Sequence, residues 1–294
     1  MRNVIVISDL HCGCRLGLCH EGGIALDDGG RYEPSVLQRK VWGWWREVWD
    51  QWVPSVTRKE AFAVVVNGDA LDGVHHGSTT QISQNLGDQA KIALSVLEPI
   101  RDACRGRLYV VRGTEAHAGK SAVDEETLAR ALGAIPNEAG QHARWDLWME
   151  IGGRLLHFLH HIGFTGSNAY EATAVGKELV EEYNEAARWS RRRPDCIIRS
   201  HRHRHIEVRV PTDAGFATAF VTAGWQLKTP FVWRIPGGRL ATPQIGAHLI
   251  RAGDEDLYTR HKIFTIDRSA TENYEREDHG RRMDRWSECG DEAD

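Results

Sequence analysis

Val4-Ile5-Val6-Ile7-Ser8-Asp9-Leu10-His11 stands near the start of the 294-residue chain. Four consecutive β-branched residues make the short apolar run of a strand buried on both faces in a parallel sheet, and the run stops at side chains that carry chemistry. The pattern recurs. Phe62 to Val66 leads into Asn67-Gly68-Asp69-Ala70-Leu71-Asp72, and Leu108 to Val111 into Arg112-Gly113-Thr114-Glu115-Ala116-His117. Leu155 to Leu159 ends in His160-His161-Ile162-Gly163, and Ile197-Ile198 in Arg199-Ser200-His201-Arg202-His203-Arg204-His205. In open α/β sheets the carboxyl ends of the strands form the ligand crevice, so these five ends are expected to converge.

Between the strands lie helical segments. From Pro34 to Pro54 the residues Leu37, Val41, Trp44, Val48 and Trp52 recur at helical spacing as one apolar face, and Trp42, Trp45 and Trp49 make a second stripe, read as core. A helix is expected from about Thr80 to Cys104 and another from about Tyr170 to Ser190. Gly152-Gly153 joins an alternating pair of strands, 145–151 and 154–160, as a hairpin. From Ile206 to Asp267 strand-like runs alternate with Pro and Gly turns. The first half thus alternates strand and helix while the second supplies mostly strands, which predicts an α/β fold of four layers, α/β/β/α, with two mixed β-sheets face to face. One domain is expected over residues 1–267, with 12–60 as an insertion carrying the Trp-rich helix. Residues 268–294, with no apolar face, form a charged tail expected to be mobile.

Composition excludes several classes. With 41% hydrophobic and 27% charged residues the chain is neither disordered nor fibrous. No apolar run approaches a membrane span and no charged-then-apolar leader opens the sequence, which sets the expectation of a cytoplasmic protein without membrane contact. Six cysteines in that setting argue against a disulfide framework. The net charge of −4 does not suit a non-specific nucleic-acid coat. Residues 188–209 nevertheless hold eight arginines and two acids, and 271–294 nine acids and four arginines.

Carboxylates and imidazoles clustered without thiolate spacing suit borderline or hard divalent ions, and a shared carboxylate suits a two-metal site. The ordered motifs Asp9-x-His11, Gly68-Asp69-x-x-Asp72, the Gly113 loop, His160-His161 and Ser200-His201-x-His203 resemble those of the calcineurin-like metallophosphoesterases, D-x-H, G-D-x-x-D, G-N-H-[DE], an isolated H and G-H-x-H. The match spans about residues 3 to 205, with Ser200 in place of a glycine. The resemblance implies a four-layer metallophosphoesterase sandwich. It implies that Asp9, His11 and His203 hold one metal, that Asp69 bridges both, and that His161 and His201 hold the second. His160 competes with His161, which is favoured because His-x-Gly is a form this motif takes. Asp72 either orients a ligand histidine or caps the next helix. His76, on the same rim, is a candidate for substrate binding.

The activity implied is metal-dependent phosphoester hydrolysis, as a phosphodiesterase, by a hydroxide bridging two divalent ions, manganese first, with iron, zinc or nickel as alternatives. His117 is the candidate acid for the leaving oxygen. A nuclease acting on DNA or RNA through the basic stretch, and a metal-binding interaction module with little turnover, are the alternatives. The third motif departs from the family pattern, since Thr114 stands where an asparagine would bind the second ion and His117 comes two residues late. The second ion is then held by Glu115 turned inward, by a water, or more weakly.

Overall fold

The computed structural model describes residues 1–75, 77–163, 167–213, 215–235 and 238–266. The tail expectation for 268–294 and the His76 assignment therefore lie outside the described residues.

Two sheets face each other. In the first, β1 (Asn3–Ile7) lies between β4 (Phe62–Asn67), parallel to it, and β12 (Ile245–Ala252), antiparallel. The sheet continues through β5 (Leu108–Val111) to β6 (Ala143–Arg144) on one side and ends at β13 (Leu257–Phe264) on the other. The second sheet has the order β10 (Ile206–Thr212), β11 (Gly215–Val221), β9 (Cys196–Arg199), β8 (Arg154–Phe158), β7 (Leu147–Ile151). A small hairpin, β2 (Ile24–Ala25) with β3 (Arg31–Tyr32), stands within the 12–60 segment.

Strand alternation sorts side chains into three cores. Val4, Val6 and Val65 meet Leu156, Phe158, Ile198 and Phe220 between the sheets. Ile5, Ile7, Val64 and Val66 point the other way, onto Val41, Trp45, Ile92 and Val96 of the helices. On the far side of the second sheet, Val175 and Leu179 of α6 (Glu171–Arg188) cover Ile197, Ala219 and Val221. The layers are therefore α/β/β/α, as the pattern of apolar runs predicts. At the end of β9, the buried Arg199 donates to Glu178 at 2.8 Å and Glu182 at 3.1 Å of α6, tying that helix to the strand.

Helix boundaries shift for local reasons. The Trp-rich helix starts at Val36 because Ser35 and Gln38 form a capping box. It runs as α1 (Val36–Glu47), a π turn (Val48–Trp52) and α2 (Val53–Val56). Val41 and Val48 of the expected apolar face and Trp42 and Trp45 of the stripe read as core are buried, while Leu37 of the expected face is 50% exposed. Trp45 packs edge-on against the fully buried Trp225 at 4.7 Å. The next helix, α3 (Leu86–Ala103), begins six residues later than expected because Asn85 caps it. Residues 80–85 instead bond to the loop after β1, Arg15 N–H donating to Thr80 and Ile82 N–H to Gly13.

Candidate metal centre

The five strand ends meet at one place, where β1, β4 and β5 of the first sheet approach β8 and β9 of the second. The loops after β1 and β4 prolong their parallel pairing, Asp9 N–H donating to the Gly68 carbonyl at 2.9 Å and His11 N–H to that of Asp69 at 3.1 Å. Asp9, His11, Asp69, His201 and His203 all sit at φ between 45° and 74°, the left-handed region. Such backbone costs about 1 kcal/mol or more per non-glycine residue. It curls Asp9 and His11 toward one point and turns His201 and His203 toward the two neighbouring ligand sets.

The ligand atoms of Asp9, His11 and His203 lie within 4.8 Å of one another, and so do those of Asp69, His160 and His201. Asp69 also groups in this way with His11 and His117, so it stands between the two sets. His11 Nε2 faces His203 Nε2 at 3.2 Å, and His203 Nε2 lies 3.3 Å from Asp9 Oδ1. His160 Nε2 lies 3.1 Å from Asp69 Oδ2. Asp9 Oδ1 and His160 Nε2 are buried, and beyond these ion-pair contacts neither has a hydrogen-bond partner, so a cation between them would complete both. Nitrogen and carboxylate oxygen without thiolate fit divalent transition ions.

Neighbouring groups set the tautomers and charges. His160 Nδ1–H donates to the Asn67 carbonyl at 2.7 Å, which leaves Nε2 for the cluster. Burial opposes charge on His160, but the Asp69 carboxylate overrides it and raises the imidazole to about 10 in the metal-free chain. Burial likewise raises Asp9, Asp69 and Asp72, yet the imidazoles of His203, His160 and His11 respectively hold all three below the usual carboxylate range. Asp72 Oδ1 lies 3.4 Å from His11 Nδ1 and accepts from Gln226 Nε2 at 3.2 Å, so it orients His11.

His161, the favoured histidine of its pair, is exposed, its ring centroid 5.6 Å from that of His201, while the fully enclosed His160 joins the cluster. Thr114 binds Asp69 instead of facing a metal: its N–H and hydroxyl donate to Oδ1 at 2.7 and 2.9 Å. Glu115 is exposed, which removes it as an inward ligand. A single helical turn, α4 (Glu115–Ala118), brings His117 back over the site, where its Nδ1 lies 2.6 Å from the Asp72 carbonyl. Burial and the adjacent His11 push His117 down to about 4.

One residue escaped the motifs, and two within them have uses that the motifs do not show. Buried Glu125, pushed up to about 7 by burial and the charge of Asp69, accepts from the Ala70 and Gly113 N–H groups and holds two ligand loops together. Ser200 departs from glycine because its hydroxyl is used: it lies 2.6 Å from Asn67 Nδ2 and 2.8 Å from Thr222 Oγ1, and Thr222 is 2.6 Å from Ser8 Oγ. Gly113 is obligatory, since a Cβ there would stand 2.0 Å from Asp69 Oδ1. Beyond the centre, His205, His248 and His261 form a second histidine cluster.

The sandwich and the convergence of the five strand ends are what the motifs' resemblance to the calcineurin-like metallophosphoesterases implies. No protein-family profile matches the chain, and no curated protein matches it. Among solved structures it is similar to Vps29 from Entamoeba histolytica complexed with zinc, at 11% identity over 90% of this chain and 99% of that one, TM-score 0.37. A metallophosphoesterase from Sphaerobacter thermophilus is similar at 10% identity, 88% of each chain and TM-score 0.37. The sulfate thiohydrolase SoxB from Thermus thermophilus, in complex with glycerol, is similar at 11% identity over 89% of this chain and 56% of that one, TM-score 0.39. These likenesses are distant. No helix among the described residues is long and apolar enough to cross a membrane.

Proposed function

We propose that the chain is a metal-dependent phosphoester hydrolase acting on diesters, with manganese the first choice of metal. The observation that carries the reading is the pair of ligand sets that share Asp69, one of Asp9, His11 and His203 and one of Asp69, His160 and His201, beside a cavity of about 730 Å³. Divalent ions held there supply charge neutralisation for the phosphoryl oxygens and acidify water near neutral pH.

The chain's own residues do the rest. Asp72 and the Asn67 carbonyl fix the rings of His11 and His160. Thr114 and Glu125 hold Asp69 and its neighbouring loops in place. His117 is the proton donor to the leaving oxygen: its Nδ1–H donates to the Asp72 carbonyl, so the proton that moves is the one Nε2 holds when the ring is charged. Its low metal-free value makes it neutral at pH 7, and the negative charge of a bound phosphate raises it.

The test is hydrolysis of bis(p-nitrophenyl) phosphate with manganese and with chelator. Turnover that requires manganese is expected. A protein that takes up two ions per chain and cleaves neither this diester nor a panel of monoesters, cyclic nucleotides, DNA and RNA would be a metal-binding interaction module instead.

A further inference from the structure

The cavity beside the metal centre is far larger than a phosphoryl group requires, and its lining divides by chemistry. His11, Asp69, His201 and His203 are at the metal end. Leu227, Pro230, Phe231, Val232 and Ile235, on and flanking α7 (Pro230–Arg234), contribute an apolar wall. Ser78, Thr79 and Thr80 add hydroxyl groups. A volume of about 730 Å³ falls in the range of sites that enclose whole small molecules.

The cations separate in the same way. Most guanidinium groups of the 188–209 stretch are already held by carboxylates: Arg188 by Glu185, Arg192 by Glu150 and Asp195, Arg193 by Asp213, Arg199 by Glu178 and Glu182, Arg204 by Glu171. Among the described residues of that stretch this leaves no continuous basic stripe of the kind a polynucleotide backbone follows. Arg202 differs. It lies between the ligand histidines His201 and His203 and lines the cavity; its Nη2 donates to the Gly163 carbonyl, while its buried Nη1 has no hydrogen-bond partner. A buried guanidinium N–H without an acceptor is costly, and an anion arriving at the metal end satisfies it.

We propose that Arg202 binds a phosphate oxygen and the 227–235 wall seats a flat aromatic group, so that the substrate is a small ester of nucleotide size and not a polynucleotide. This names the substrate class of the site and rests on the phosphoesterase reading. The apolar wall stabilises a ring by excluding water from both faces of the contact, and Phe231 gives it an aromatic surface. The hydroxyls of 78–80 suit the sugar edge or ring heteroatoms, which a purely alkyl ester lacks.

The test is equilibrium binding, without turnover, of adenosine 5′-monophosphate, ribose 5-phosphate and an oligothymidylate to the full chain, first in chelator and then with manganese. The mononucleotide is expected to bind at least about tenfold more tightly than ribose 5-phosphate in both conditions. Phe231→Ala should abolish that preference, and Arg202→Ala should weaken both phosphates, with Arg202→Lys restoring part of the loss. Equal affinity for the mononucleotide and ribose 5-phosphate would overturn the proposal. So would an oligothymidylate that binds more tightly than the mononucleotide and weakens steeply with salt. Hydrolysis of bis(p-nitrophenyl) phosphate with no such preference sinks the pocket assignment alone, whereas the preference without hydrolysis sinks the hydrolase reading and leaves the pocket a nucleotide site.

Discussion

Two groups of histidines in this molecule look alike in composition and differ in wiring. At the metal centre His11 and His203 turn Nε2 toward each other, and His160 Nε2 has no hydrogen bond. In the second cluster every proton of the chain of contacts has a place. His248 Nε2 accepts from the Ala223 N–H at 2.8 Å, so its Nδ1–H donates to His261 Nδ1 at 2.8 Å. His261 Nε2–H then donates to Glu207 at 2.8 Å, and His205 Nδ1–H donates to the Val221 carbonyl at 3.0 Å. A metal ion on His248 Nδ1 would force a proton onto Nε2, against the Ala223 N–H. Proximity of imidazoles is therefore not enough for a metal site: lone pairs must converge with protons held elsewhere. The second cluster is a hydrogen-bonded strut between β12, β13, β10 and the loop after β11.

The comparison breaks most visibly at Asp69. Asp69→Asn should lower both ion sites, leave fewer than two ions per chain by elemental analysis, and reduce diester hydrolysis by about a thousandfold or more, since several kcal/mol of charge stabilisation leave with the ions. His248→Ala, by contrast, should leave the ion count unchanged. If it empties a site, the second cluster is a metal centre and the contrast fails.

His117→Ala should lower turnover by about a hundredfold while both ions remain, the size of a lost general acid. Loss of one ion in that variant would make His117 a ligand, in keeping with its place beside His11 and Asp69.

Metal uptake should release protons at pH 7, because His160, raised to about 10 by Asp69 against its burial, must give up a proton to become a ligand. Titration in weakly buffered solution reads this directly, and an uptake with no proton release would mean this imidazole is already neutral.

The strut carries a smaller effect of opposite sign. Burial and the neighbouring His261 hold His248 well below its ordinary value, and burial and the same neighbour hold His205 at about 4. Folded values below the unfolded one mean that the unfolded chain binds more protons at mildly acid pH. The stability carried by these groups is full above about pH 6.5 and is lost as pH falls toward 4. His248→Ala should cost about 1–3 kcal/mol at pH 7, from the orphaned Ala223 and His261 groups, with activity retained. Urea midpoints should show the gap to wild type closing as the pH falls. Smallest of all, Cys14→Ser should leave the ion count unchanged, because that thiol is buried and pushed up to about 11 by its burial.

Much of this was legible in the sequence. The apolar runs from Val4 and Phe62 placed β1 and β4, and the polar residues after them marked Asp9, His11 and Asp69, because strand period and strand-end position are local properties. The Trp-rich helix was legible as a helix with Trp42 and Trp45 in the core, but that Leu37 stays exposed was not: its spacing matches that of the buried Val41 and Val48, and only what packs against each turn decides.

At the site, residue types and their order were determined by the chain alone, since a carboxylate or imidazole at a strand end keeps its chemistry whatever packs around it. Which histidine of the 160–161 pair turns inward was decided by the Asn67 carbonyl, 93 positions away in sequence. The uses of Thr114, Ser200 and Glu125 likewise depend on hydrogen bonds to loops far along the chain. His248 and His261 sit in no motif because their meaning lies in β12 pairing with β13, where register sets them side by side. Local patterns record what a side chain is able to do; long-range pairing decides which lone pair is left to do it.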